Sequence, residues 1–170
     1  DGAEFEIPYK LLLLLGQRES EVFGMRRSEV STWGAFLGSE IKSSEYKGIN
    51  ADEPLWIIPK KRTKKEREHI VPLPPLAQAL INRVVDNGTD LLFTSKRSIT
   101  KAQNEGREVR PLSGFSRSKA RIDAASGVTD WRLHDLRRSL RSGLARMRIS
   151  SDVARKVVNH KLVGMDEIYN

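Results

Sequence analysis

Hydrophobic residues in this chain gather in short runs whose spacing is helical more often than alternating. Pro8 suits a first helical turn, Leu11 to Leu15 form an unbroken apolar run, and Gly16 ends it. A run that is apolar on every side predicts a fully buried helix. A second helix is expected from about Glu19 to Ser28. Residues 31–53 are rich in Gly and Ser and weakly periodic, which predicts a long loop holding at most one short strand. Trp56-Ile57-Ile58 and His69-Ile70-Val71 read as two short strands, each with a proline downstream. They flank the basic run from Lys60 to Arg67, so the pattern predicts a β-hairpin with a charged tip.

Pro74 and Pro75 open a helix that places Leu76, Leu80 and Val84 on one stripe and stops at Gly88. Residues 96–111 are polar and basic, the composition of a loop. Phe115, Lys119 and Ile122 return to helical spacing, with Gly127 as the stop. Leu136, Leu140, Leu144 and Met147 form an apolar stripe on a helix of about three turns. Ser150 or Ser151 can cap a following helix that would bury Val153, Val157 and Val158. Gly164 separates it from a last short helix carrying Tyr169. The predicted fold class is α+β: mainly α-helical, with one small antiparallel β-sheet.

Composition narrows the function classes. The 170 residues include no cysteine, which excludes a disulfide framework, a thiolate metal site and a cysteine nucleophile. The Leu11–Leu15 run is far shorter than the ~20 apolar residues that cross a bilayer. No signal-like segment opens the chain, so a cytoplasmic protein without a membrane partner is expected. Thirty Lys and Arg against 22 Asp and Glu give a formal charge of +8. The excess is uneven: residues 1–85 carry 13 and 12, whereas residues 86–170 carry 17 and 10. Such a bias suits a polyanion, with nucleic acid the first candidate; a solvated basic surface accounts for the charge equally well. Aromatics are 6% and unclustered, so contact with a duplex backbone fits better than base stacking.

The inventory of reactive groups is narrow. His69, His134 and His160 lie far apart with no carboxylates at ligand spacing, so no metal site is expected. There is no phosphate-binding Gly loop with a Lys and no G-x-S-x-G elbow. Arginines, imidazoles and a tyrosine remain, a set suited to metal-free work on a phosphodiester. Guanidinium groups match the non-bridging oxygens bidentately and keep their charge. The most specific segment runs from Trp131 to Ser139, in which His134 and Arg137 are three apart and expected on one helix face. Asn159-His160 and then Ile168-Tyr169-Asn170 follow it. Upstream, Gly16-Gln17-Arg18-Glu19-Ser20-Glu21 sets an arginine just after a helix break.

These boxes together resemble the catalytic domain of tyrosine recombinases, the phage integrase family. HDLRRS is similar to that family's H-x-x-R box, and GQRESEVFGMR to its first-arginine box. IPKKRTKKEREHIVPL resembles its lysine-bearing β-hairpin, and NH…IYN its second histidine and nucleophile. The resemblance covers about residues 8–170. It implies that Tyr169 attacks the scissile phosphate and that Arg18, Arg137 and His160 hold the non-bridging oxygens. His134 would assist proton transfer and Lys64 would protonate the departing 5′-oxygen, with Glu21 orienting Arg18. Lys60, Lys61 and Lys65 compete with Lys64 for its role. Arg132, Arg138, Arg141, Lys61 and Lys65 are expected to contact DNA.

The implied function is site-specific cleavage and rejoining of double-stranded DNA through a 3′-phosphotyrosine, integrating or excising a prophage or mobile element. No cofactor is implied. The implied partners are attachment-site DNA, further copies forming a tetramer on it, and a directionality factor, in a bacterial nucleoid setting. Residues 1–170 would be an excised catalytic domain, lacking the family's N-terminal core-binding domain and C-terminal tail. Two departures stand out: Arg27 occupies a position where the family has an aromatic, and residues 31–53 lengthen the path from Arg18 to Lys64. A type IB topoisomerase-like enzyme and a DNA-binding module with a degenerate site are the alternatives. The NH and IYN boxes count against the first, and the presence of all six side chains counts against the second.

Overall fold

A computed structural model describes residues 3–38, 50–64 and 66–160. In chain order its elements are α1 (Glu6–Leu15), α2 (Glu19–Phe23), β1 (Val30–Thr32), α3 (Trp33–Leu37), β2 (Pro54–Ile58), β3 (His69–Pro72), α4 (Pro75–Asn82), α5 (Lys96–Glu105), α6 (Phe115–Ser126), α7 (Leu133–Arg146) and α8 (Ser151–Val157). Short 3-10 turns cover Ala3–Phe5, Arg27–Glu29 and Lys60–Arg62. The expected α+β class, mainly helical with a small antiparallel sheet, is what forms. The chain divides into two compact units, one drawn from residues up to Val22 and from Ser113 onward, the other Phe23–Leu112.

In the first unit α1 begins at Glu6, slightly ahead of Pro8, and packs on α7. It ends where Gly16 turns left-handed, with φ 61° and its N–H on the Leu12 carbonyl. The left-handed φ favours glycine here, and a Cβ would in addition lie 2.4 Å from Leu140 Cδ2 and have to displace that side chain. The helix is not buried all round as expected. Leu11, Leu12 and Leu15 are buried while Leu13 is 45% exposed. Successive residues turn by about 100°, so five leucines in a row sweep past every direction and one must face water.

Two further apolar stripes shift from their expected positions. On α7 Met147 is exposed, Leu136, Leu140 and Leu144 are half-buried, and the residue taken fully inside is Arg137. On α8, capped by the Ser150 hydroxyl, Ala154 and Val158 face inward. Val153 and Val157 form the neighbouring, exposed stripe instead. α6 ends at a left-handed Gly127, as its sequence suggests.

The second unit is built on the sheet β1-β2-β3, antiparallel throughout. The expected hairpin forms with Ile58 opposite His69 and Leu55 opposite Pro72. β2 is central, and its Leu55, Trp56 and Ile58 are wholly buried. The 31–53 stretch contributes more than a loop: it supplies most of β1 and all of α3, whose cap is the Thr32 hydroxyl accepting from Ala35 N–H. Its residues 39–49 lie outside the described residues, as does the expected last helix beyond Gly164. α2 stops at Phe23 rather than near Ser28, because Gly24 follows and Arg26 leaves as an extended bridge to Leu91. On α4 the buried residues are Ala77 and Leu80, while Leu76 is exposed and Val84 lies past the helix end.

The largest difference is α5, where residues 96–111 predict a loop. Ser95 caps it through Ser98 N–H, and Gly106 closes it in the left-handed conformation. Ala102 is its buried residue. With only Ile99 and Ala102 apolar, the helix offers a two-residue stripe, and its cap and stop are the plainer marks in the sequence.

Candidate active site

In the first unit, Arg18 pairs with Glu21, and Arg137 lies near enough for the charges of both to shift its ionisation. Arg18 opens α2, and the Glu21 carboxylate three residues on accepts its backbone N–H at 2.8 Å. The other Glu21 oxygen accepts from Arg18 Nη1 at 2.8 Å. Glu21 is fully buried while the Arg18 side chain stays 21% exposed. This is half of a capping box: the third helical residue returns to the cap's own N–H. It holds the guanidinium at the surface end of the pair.

Arg137 enters from α7 at 4% exposure. Its Nη1 donates to the Gly16 carbonyl at 2.6 Å and its Nη2 to the Val158 carbonyl. One guanidinium therefore ties the end of α1 to the end of α8. Burial pushes its pKa down to about 10, and the positive charge of Arg18 pushes the same way. Glu21 opposes the shift, and Arg141 adds a smaller lowering. At neutral pH Arg137 remains a cation. Two buried or half-buried guanidiniums against one carboxylate leave a surplus of positive charge where desolvation makes it unfavourable. A bound oxyanion would relieve it.

Sequence reasoning passed over Gln17, which lies between these groups. It is fully buried, and its Nε2 donates to the carbonyls of Leu15 and Val157, both at 2.8 Å. Nothing in its spacing marks it except its place between Gly16 and Arg18. The reason for Asn159 is clearer. It ends α8 at φ 47°, a left-handed conformation that asparagine tolerates better than most residues. This turn leads directly to the half-buried His160, whose N–H donates to the Arg155 carbonyl at 2.8 Å. His160 thus follows two residues after the carbonyl that Arg137 grips.

His134 and Arg137 do not share an environment as expected. His134 is exposed on the first turn of α7, whereas Arg137 is buried one turn on. Three residues turn the helix by a net of about 60° and rise about 4.5 Å along it, and here that step is enough to leave one side chain in water and take the other inside. Beside His134 is a cavity of about 370 Å³, lined in part by Glu19, Ser116, Lys119 and Arg132. Burial raises the Glu19 carboxyl above the usual range.

Two aspartates set the start of α7. Asp123 accepts from Lys119 at 2.6 Å and from Trp131 Nε1 at 2.7 Å. Asp135 accepts the Arg132 backbone N–H at 2.8 Å and Arg138 at 3.2 Å. These bonds, led by Lys119 for Asp123 and by the Arg132 N–H for Asp135, hold both carboxyls below the usual range. Arg132, Arg138 and Arg141 are all exposed.

Lys61 and Lys64 belong to the second unit and are exposed, Lys64 in the turn after the buried Thr63. Lys65 and Tyr169 lie outside the described residues. Among the described residues no cluster of three or more His, Cys, Asp or Glu could hold a metal ion. No described helix is long and apolar enough to cross a membrane.

Known proteins share this architecture. The XerH site-specific recombinase bound to difH, in a pre-cleavage complex, matches with a TM-score of 0.61 at 16% identity, over 98% of this chain and 43% of that one. The Tn1549 transposon integrase in complex with circular intermediate DNA matches with a TM-score of 0.53 at 14% identity, over 94% and 51%. At these identities the likeness is one of fold. The chain spans about half the length of these proteins or less. No curated protein sequence matches it. The model of the phage integrase family matches residues 38–170, a span that begins after Arg18 and Glu21. Because that match takes in most of the chain, including His134, Arg137, His160 and Tyr169, this protein belongs to the phage integrase family of tyrosine recombinases.

Proposed function

We propose that this chain is the catalytic part of a site-specific recombinase that cuts and rejoins double-stranded DNA for a prophage or other mobile element. The reading rests above all on Arg137, a buried cation beside Arg18 with the Glu21 carboxylate as the acid it feels. Such a surplus suits a phosphodiester, whose non-bridging oxygens gain charge as a nucleophile adds. The family's DNA-bound relatives support duplex DNA as the partner.

In this mechanism the Tyr169 oxygen forms a bond to phosphorus while the bond to the 5′-oxygen breaks. Arg18, Arg137 and His160 hold the non-bridging oxygens, and Glu21 orients Arg18. His134 assists proton transfer around the nucleophile, and Lys64 gives its proton to the 5′-oxygen. A phenol with an ordinary pKa near ~10 needs such neighbours to react as its anion. The 3′-phosphotyrosine keeps the ester energy, so the free 5′-hydroxyl can reverse the step without ATP. Arg132, Arg138, Arg141, Lys61 and Lys65 contact DNA phosphates, each adding roughly 0.9 to the slope of log K against log salt. Assembly into a tetramer on DNA, a directionality factor and a place in the bacterial nucleoid complete the reading.

A nicked suicide duplex carrying the element's own end tests it. The unsubstituted protein should form a covalent adduct, with or without EDTA, while Tyr169→Phe binds the duplex and forms none. An adduct from the Phe variant, or its loss in EDTA, would overturn the mechanism.

A further inference from the structure

Lys64 is an exposed lysine on a tight turn, and the structure invests its neighbours with an unusual amount of buried polar bonding. Just before it, Arg62 Nη1 lies 2.6 and 2.5 Å from the two oxygens of Glu29, which is only 7% exposed. Glu29 also accepts from the indole N–H of Trp56, wholly buried in β2, at 3.1 Å. The 3-10 turn Lys60–Arg62 that leaves β2 is therefore fixed to the sheet. The next residue, Thr63, is 5% exposed. Its hydroxyl lies 2.7 Å from the Arg67 carbonyl and 3.1 Å from that of Lys60, and it accepts the Arg67 N–H at 3.2 Å. One side chain thus links the backbones of Lys60 and Arg67 on either side of Lys64, and Glu66 takes a left-handed φ of 52°.

We propose that Thr63 is a positioning residue for Lys64, with the Glu29–Arg62 pair as its footing; this rests on the reading of Lys64 as the acid for the 5′-oxygen. A lysine side chain has four freely rotating carbons and loses much entropy when held in place. An acid must still arrive within hydrogen-bond reach of the oxygen it protonates. Fixing the backbone at Lys64 removes part of that search. A buried ion pair adds little net stability compared with an apolar substitute. What Glu29–Arg62 does supply is a defined geometry for the turn that precedes Thr63 and Lys64.

The step concerned is breakage of the phosphorus–5′-oxygen bond, in which the Lys64 proton moves to the departing oxygen as the Tyr169 oxygen bonds to phosphorus. Replacing that 5′-oxygen by sulfur gives a leaving group with a thiol-like pKa of ~8.5, which departs without an acid. Cleavage of nicked duplexes with either atom should be measured for the protein and its variants. Thr63→Val should slow oxygen cleavage about tenfold or more with unchanged DNA affinity, because acid catalysis is sensitive to placement. On the sulfur duplex the same variant should come within about twofold, which also shows that it folds. Thr63→Ser keeps the hydroxyl and should recover most of the rate. Lys64→Ala should show a larger deficit that sulfur likewise erases.

A Thr63→Val variant slow on both duplexes would make the hydroxyl merely structural and overturn the positioning role. If Lys64→Ala is equally slow on both, the assignment of Lys64 as the acid fails, whatever Thr63→Val does. Should Thr63→Val not fold, Arg62→Lys, which keeps the charge but not the planar guanidinium that reaches both Glu29 oxygens, is read by the same two duplexes.

Discussion

Glu21 and Glu29 begin from nearly the same local sequence, Arg18-Glu19-Ser20-Glu21 and Arg26-Arg27-Ser28-Glu29. Each carboxylate accepts the backbone N–H of the arginine three residues before it, at 2.8 and 3.1 Å. Each is buried, and each takes a guanidinium. Their surroundings then part. Glu29 receives Arg62 and an indole N–H, so one negative charge meets one positive charge. Glu21 receives Arg18, and Arg137 is close enough for both to shift its ionisation, so one negative charge meets two positive ones. A balanced pair is a fastening. An unbalanced one leaves a charge that an anion would offset, and that surplus, rather than the buried pair, is what supports the proposed phosphate site.

The largest expected effect comes from changing the shape of the surplus cation. Arg137→Lys keeps the charge but cannot reach two carbonyls and a phosphate from one planar fork. On the sulfur-substituted duplex as on the oxygen one, covalent adduct formation should fall by roughly a hundredfold or more, in line with loss of one oxyanion donor. Arg62→Lys, at the balanced pair, should leave cleavage of the sulfur-substituted duplex within about twofold. Equal losses for the two variants would erase the distinction.

Stability should discriminate in the opposite direction. Arg62→Met strands the Glu29 carboxylate and should cost about 3 kcal/mol in denaturant unfolding. Adding Glu29→Gln removes the stranded charge and should restore most of that loss. No matching second substitution should restore cleavage to an Arg137 variant. If the double variant is as unstable as the single one, the Glu29 pair has a further partner that carries its stability.

The smallest effect needs no DNA. Sulfate at constant ionic strength should raise the midpoint of thermal unfolding by occupying the Arg18–Arg137 pair. Binding at about ten times the dissociation constant corresponds to ~1.4 kcal/mol, a shift of a few degrees for a chain of this size. Arg62→Met should keep that increment and Arg137→Lys should lose most of it. An increment that survives in Arg137→Lys would place the anion elsewhere.

Much of the fold was legible because it is locally encoded. The β2–β3 hairpin, the Gly16 and Gly127 stops and the Ser150 cap follow from residues within a few positions of one another. The errors share a cause as well. Val153 and Val157 against Ala154 and Val158, or Leu76 against Ala77, are neighbouring stripes of one helix, and which stripe is covered depends on what packs there. α5 was missed because Ile99 and Ala102 are its only apolar residues, too few to stand out as a stripe.

The sequence alone determined the order and spacing of the family's boxes, and with them the chemistry they imply. Only tertiary structure decided which of the many arginines is the buried one. Arg137 sits close to Arg138 and Arg141; the H-x-x-R box gives it a role apart from theirs, but nothing in the local periodicity says that it is the one buried. It is singled out by the carbonyl of Gly16, 121 residues away, and by the charge of Arg18. Desolvation and Coulomb energy depend on distance through space, and in this chain that distance is closed by the packing of α1, α7 and α8.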